Sequence, residues 1–109
     1  MLRDIKSPQR AMRMLSFRIT GTGTAAIAEG GFDATLTDNG TGDYTLTFTN
    51  PFARLPTVVA NVVTANCYVQ IGTLAVGSVQ LLVKDLDDDS AKDAVFHCLV
   101  MGPDVADAN

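Results

Sequence analysis

A few short stretches of this sequence carry residue types that could do chemistry. In Asp85-Leu86-Asp87-Asp88-Asp89-Ser90, the residues Asp85, Asp87 and Asp89 are spaced like the first oxygen ligands of an EF-hand calcium loop. The rest of such a loop is missing. Ser90 stands where the sharp turn needs glycine, and Phe96 occupies the position of the bidentate glutamate. The stretch reads as a solvated acidic turn. His97 and Cys98 have the types of a base and a thiol nucleophile, but neighbours in a strand point to opposite faces, so adjacency separates them. Gly21-Thr22-Gly23-Thr24-Ala25-Ala26 fits the loose GxGxxA fingerprint, which holds phosphates only where a helix follows at once. Gly30-Gly31 and a strand arrive first, so this is a loop. Asn39-Gly40-Thr41 is a glycosylation sequon whose Asn-Gly is already explained by a turn. The chain has one histidine and no GxSxG, HExxH, CxxC or P-loop pattern. It is read as a non-enzymatic protein without cofactor or metal.

The elements around these residues read as strands. Phe17 to Thr20 alternates and opens the series. From Gly31 to Val63 the sequence runs GFDATLTDNGTGDYTLTFTNPFARLPTVVANVV. Phe32, Ala34 and Leu36 share one face, as do Tyr44, Leu46 and Phe48, and DNGTGD supplies a hairpin turn. Pro51 and Pro56 bound a corner where Phe52 or Leu55 plugs the core. Next come Thr57–Val63, Cys67–Ile71 and Ser78–Lys84, with Val79, Leu81 and Val83 inward. Ala94–Met101 closes the series with Phe96, Cys98 and Val100 inward and His97 outward. About seven short strands with almost no helix predict an all-β fold over residues 17–102. Its form is an antiparallel two-sheet sandwich, jelly-roll or immunoglobulin-like, with a flexible tail at 103–109. Cys67 and Cys98 read as buried reduced thiols.

Charge is unevenly placed. The net charge is −4, yet up to Arg18 the bases Arg3, Lys6, Arg10, Arg13 and Arg18 face only Asp4. Residues 1–16 therefore read as a basic N-terminal arm. Ser7-Pro8 would open a short helix through Leu15, and Arg3, Lys6, Arg10, Met12, Arg13, Met14 and Leu15 would contact a partner. An Arg-rich presequence is the alternative for this arm. The acidic body argues against nucleic acid as a partner, and the apolar runs fall far short of a membrane span. No secretory signal is evident in the first residues. Val59, Val63, Leu82, Val95, Leu99 and Met101 fall on the outward side of their strands, where a monomeric sandwich carries polar residues. They predict burial against a second copy, with cover by the chain's own arm or loops as the alternative.

One stretch bears a resemblance. GTGDYTLTFTNPFARLPTVVA combines a G-x-Y-x-[VLI]-x-F strand, a P-F pair and a P-x-V-V strand. Asp93 to Gly102 adds a closing D-x-x-F strand with an apolar run to glycine. Over about residues 31 to 102 this resembles the small β-sandwich domains of bacteriophage virion proteins. The resemblance implies a structural or adhesive role in the virion. The single small domain, its lack of a shaft repeat, the basic arm and the apolar outer faces favour a capsid decoration (cement) protein. It would be a homotrimer clamping the major capsid protein or another virion protein. The alternative is a tail or fibre adhesin that recognises a host-surface glycan or protein through loops 38–43, 72–77 and 85–93. The absence of Trp and the core position expected for Tyr44 weigh against sugar stacking.

Overall fold

A computed structural model describes residues 12–104 of the chain. Eight strands follow one another: β1 (Met12–Thr20), β2 (Ala26–Glu29), β3 (Ala34–Gly40), β4 (Asp43–Phe48), β5 (Thr57–Val62), β6 (Cys67–Leu74), β7 (Ser78–Asp85) and β8 (Val95–Pro103). They form two antiparallel four-stranded sheets, ordered β2-β1-β8-β5 and β3-β4-β7-β6. No helix occurs among the described residues. The fold is the all-β two-sheet sandwich that the alternation predicts.

Period-two burial explains the core. Phe17 and Ile19 from β1 and Phe96 and Val100 from β8 face Tyr44, Leu46, Val79, Leu81 and Val83 of the second sheet, all buried. Such side chains each contribute about 1.5–3 kcal/mol when removed from water. The Tyr44 ring packs at a tilt against Phe96, with centroids 5.5 Å apart. Its hydroxyl donates to Asp93 Oδ1 at 2.7 Å, with the Gly21 carbonyl 3.2 Å away. That bond anchors the start of β8 to β4. Cys67 and Cys98 are both buried free thiols.

Several expectations change. Met12 to Leu15 is strand, not the end of a helix. β1 pairs with β8 along its whole length, from Met12 opposite Pro103 to Thr20 opposite Val95, and this tertiary ladder overrides weak local helix preference. Residues 12–16 therefore belong to the sandwich and not to an arm. Arg3, Lys6, Arg10 and the Ser7-Pro8 start lie outside the described residues, as do 105–109. Asp104 forms a bridge with Phe52, so order runs past Gly102. β2 was not anticipated. Its four residues pair only with Arg18, Ile19 and Thr20. At the corner, Phe52 is the plug, edge-on to Phe48 with centroids at 5.3 Å, whereas Leu55 is exposed. Phe32 is 97% exposed because β3 starts only at Ala34.

Arg13 and Leu15 need particular correction as partner-binding residues. Leu15 is core. Arg13 shares its inward parity and lies over the Phe52 ring at 4.2 Å, and its Nη2 donates to the carbonyls of Asn50 (2.7 Å) and Pro51 (3.1 Å). The guanidinium thus fastens the Pro51 corner to β1. Arg13→Ala is expected to cost about 1–2 kcal/mol through the lost cation–π contact and hydrogen bonds. A urea-denaturation midpoint measures this. Arg13→Lys keeps the charge but not the fork, and should recover less than half.

Candidate functional site

The outward side chains of the first sheet form rows that the strand register fixes. Met14 of β1 stands opposite Met101 of β8, and Met101 opposite Thr57 of β5. The next row is Ser16, Leu99 and Val59, and the one after is Arg18, His97 and Asn61. Thr20 and Val95 follow, with Val63 tied to Val95 through its backbone N–H. Met12 (52%), Met14 (60%), Val59 (55%), Val63 (59%) and Met101 (37%) remain exposed. This is an apolar face crossed by one polar row, Arg18–His97–Asn61.

The outer face of the second sheet differs in kind. Thr35 and Thr37 of β3, Thr45 and Thr47 of β4, and Ser78 and Gln80 of β7 populate it. A hydrogen-bond network joins Gln80 and Thr45 to Asp43 and Asn39. Gln80 Nε2 donates to Asp43 Oδ1 at 2.9 Å, and Asn39 Nδ2 donates to Asp43 Oδ1 at 3.2 Å and to Thr45 Oγ1 at 2.9 Å. The structure therefore divides the residues expected to meet a second copy. Val59, Val63, Val95, Leu99 and Met101 lie together on the first sheet. Leu82 lies on the other sheet, opposite Asp43 and Gln70, and does not join them. Outward parity is readable in one strand, but which sheet that strand enters is not. Met12 and Met14, expected in a separate arm, belong to the apolar face. The helix expected through Leu15 sets Met12 and Met14 apart from the strand that begins at Phe17, which hides their place on this face.

A shallow open cleft of about 250 Å³ lies in this face, lined by Ser16, Val59, Asn61, His97, Cys98 and Leu99. Cys98 is itself only 4% exposed, and burial pushes its thiol up to about 12, so it is no nucleophile at neutral pH. His97 is exposed on the opposite side of the strand. The cleft can seat an apolar side chain and offer it hydrogen-bonding neighbours. It holds no nucleophile–base pair.

In the acidic turn, Asp85, Asp88 and Asp89 each use one carboxylate oxygen within the chain. Asp85 Oδ1 accepts the Asp87 N–H at 2.8 Å, Asp88 Oδ1 accepts Ser90 Oγ at 2.7 Å and N–H at 3.0 Å, and Asp89 Oδ1 accepts the Tyr68 hydroxyl at 2.8 Å. The Ser90 hydrogen bonds, the side-chain one foremost, hold the Asp88 carboxyl below its ordinary value. Lys92 Nζ stands 3.9 Å from Asp85 Oδ2. Among the described residues, no three His, Cys, Asp or Glu side chains are grouped to hold a metal. The Gly21–Ala26 stretch leads into β2 and places no helix N-terminus near its glycines.

Comparison with protein-family models, with curated proteins and with solved structures finds no match for this chain.

Proposed function

We propose that this protein is a non-enzymatic assembly protein of a phage particle, of the head-decoration type. It works by burying the outer face of its first sheet against neighbouring subunits, its own copies among them. The observation that supports this is the contrast between the two sheet faces. One is polar and internally hydrogen-bonded, while the other exposes Met12, Met14, Val59, Val63 and Met101. An exposed apolar surface of this kind costs solubility unless a partner covers it, and covering it yields about 25 cal/mol per Å². The phage setting comes from the resemblance of residues 40–60 and 93–102 to virion β-sandwich domains; the capsid partner is inferred from the single small domain and the basic N-terminal charge, and the trimer from the apolar outer face. There is no chemical step in this reading. Affinity comes from apolar area, and the Arg18–His97–Asn61 row supplies register.

The test places charge on this face. Val59→Asp combined with Met101→Asp should weaken binding to the particle at least a hundredfold, since two carboxylates would be desolvated in the contact. Thr37→Asp on the polar sheet should bind as the parent does. Circular dichroism and thermal melting check that all variants fold. Equal binding by the double variant would overturn the reading. Cryo-electron microscopy of the particle distinguishes decoration of the head lattice from a place on the tail, where the adhesin alternative would hold.

A further inference from the structure

The sandwich has four sheet edges, and three of them are protected against pairing. β2 is only four residues long, and its register with β1 is broken between Arg18 and Ile19. β3 displays Thr35, Thr37, Asp38 and Asn39, and its pairing shifts between Asp38 and Gly40. β6 carries a register break between Ile71 and Leu74. Short length, bulges and polar residues are the usual means of blunting an edge. β5 is six residues long, has no bulge, and carries only Thr57 and Asn61 as polar residues, both with backbone groups turned to β8. TVVANV pairs with β8 without a break and contains no charge, proline or glycine.

The hydrogen-bond phase of this edge follows from one contact. Val63 donates its N–H to Val95 O, continuing the register in which Val62 opposes Phe96. In an antiparallel ladder, residues turn both backbone groups toward the partner strand at every second position. Thr57, Val59, Asn61 and Val63 thus face β8. Val58, Ala60 and Val62 present their N–H and C=O groups to the open edge. The side chains of these same three residues point inward yet are only partly buried. So are Val69, Ile71 and Leu74 of β6, the other sheet's edge on the same flank. One flank of the core is incompletely closed beside an unprotected strand.

We propose that β5 pairs antiparallel with β5 of a second copy across a two-fold axis at Ala60, joining the first sheets of two copies into one continuous sheet. The sequence is self-complementary in that register. Ala60 meets Ala60 on the axis, where a small side chain avoids a clash between identical groups. Val58 meets Val62 of the other copy, a pairing of β-branched residues that favours strands. Each of these pairs exchanges both backbone hydrogen bonds. Val59 falls opposite Asn61 of the other copy, in a pair without backbone bonds. With no charge between Thr57 and Val63, no like charges are opposed. A heterologous strand could add at the same edge, but only a second β5 places the one alanine on a symmetry axis and matches valine to valine on both sides. The contact rests on the β5 edge and stands independently of the phage reading. It leaves the apolar outer faces side by side and uncovered.

Hydrogen exchange at rising concentration of the full chain tests it directly. The Val58, Ala60 and Val62 amides should become protected at least tenfold between low and high micromolar protein, in step with dimer formation by light scattering. The pair Val59→Cys with Asn61→Cys should give a covalent dimer on mild oxidation. Cysteines two apart in one strand lie too far apart to bridge each other, and Cys67 and Cys98 are buried. Ala60→Pro removes an N–H that β8 does not use and should leave a folded monomer. A monomer at all concentrations, or protection of these three amides that does not vary with concentration, would overturn the proposal. So would a folded Ala60→Pro variant that dimerises as the parent does. Met101→Asp alone, in β8 and outside the β5 pairing, addresses the other reading through particle binding, so the two can fail separately.

Discussion

Above pH 9 the protein is expected to lose stability at about 1.4 kcal/mol per pH unit, and above pH 10 at up to about twice that rate. The cause is a pair of buried acids that ionise in the unfolded chain before they can ionise in the folded one. Burial pushes the Cys98 thiol from its ordinary 9.0 up to about 12. Tyr44 is pushed well above its ordinary 10.0, first by burial and then by the hydrogen bond and the negative charge of Asp93. A group whose folded pKa is raised contributes stability that is fully present below its unfolded pKa. As pH climbs past that value the unfolded state binds fewer protons than the native state, so the unfolding free energy falls. Cys98 opens its window near pH 9 and Tyr44 opens a second near pH 10. Urea titrations from pH 7 to 10.5 should show the decline. Cys98→Ala should remove the early part and Tyr44→Phe the later part, although each substitution lowers stability at pH 7. A parent protein equally stable at pH 8 and 10.5 would refute this account.

Legibility in the sequence followed from how consistently hydropathy and burial agree. On the inward face of β7 and β8 they agree, although Leu82, Val95, Leu99 and Met101 are apolar residues turned outward. Val79, Leu81, Val83, Phe96, Cys98 and Val100 are buried; alternation gives the inward face of β7, and in β8, apolar on both faces, the single His97 decides it. In the first half of β1 they disagree. Met12 and Met14 are exposed while the charged Arg13 turns inward over Phe52, so the pattern runs opposite to its burial and resembles a short helix. Only the long-range ladder to β8 identifies it as strand. β2 reads AIAE, too short to alternate convincingly and rich in helix-favouring residues. The candidate face was half legible for a related reason. Val59, Val63, Val95, Leu99 and Met101 are outward by parity within their own strands. That β5, β8 and β1 lie side by side while β7 lies in the other sheet is a matter of topology. Leu82 was therefore grouped with residues it cannot touch, and Met12 and Met14 were left out.

The turn between β3 and β4 holds a sensitive backbone position, and it is not the Asn-Gly pair that first marks the turn. Gly40 (φ 132°) has open space around it. Gly42 (φ 64°) is left-handed and enclosed. A Cβ there would sit 2.5 Å from the Val83 carbonyl oxygen and 2.8 Å from the Lys92 nitrogen, both backbone atoms that cannot rotate away. The same small region carries three hydrogen bonds. Gly42 N–H donates to Asp93 Oδ1 at 2.9 Å, Val83 N–H to Gly42 O at 2.8 Å, and Lys92 N–H to Val83 O at 3.1 Å. Asp93 is also the acceptor for Tyr44, so displacing Gly42 disturbs the bond that anchors β8 to β4. Gly42→Ala is expected to cost about 3–4 kcal/mol. About 1–2 come from the left-handed backbone and the rest from the hydrogen bonds that must break to make room. Gly31→Ala is the matched control, with no atom near its would-be Cβ and no positive φ, and it should change stability by less than about 0.5 kcal/mol. Chemical denaturation of the two variants measures the difference. A Gly42→Ala protein within about 1 kcal/mol of the parent would mean that the β3–β4 turn moves away from Val83 and Lys92 at little cost, and that the Tyr44–Asp93 anchor does not depend on it.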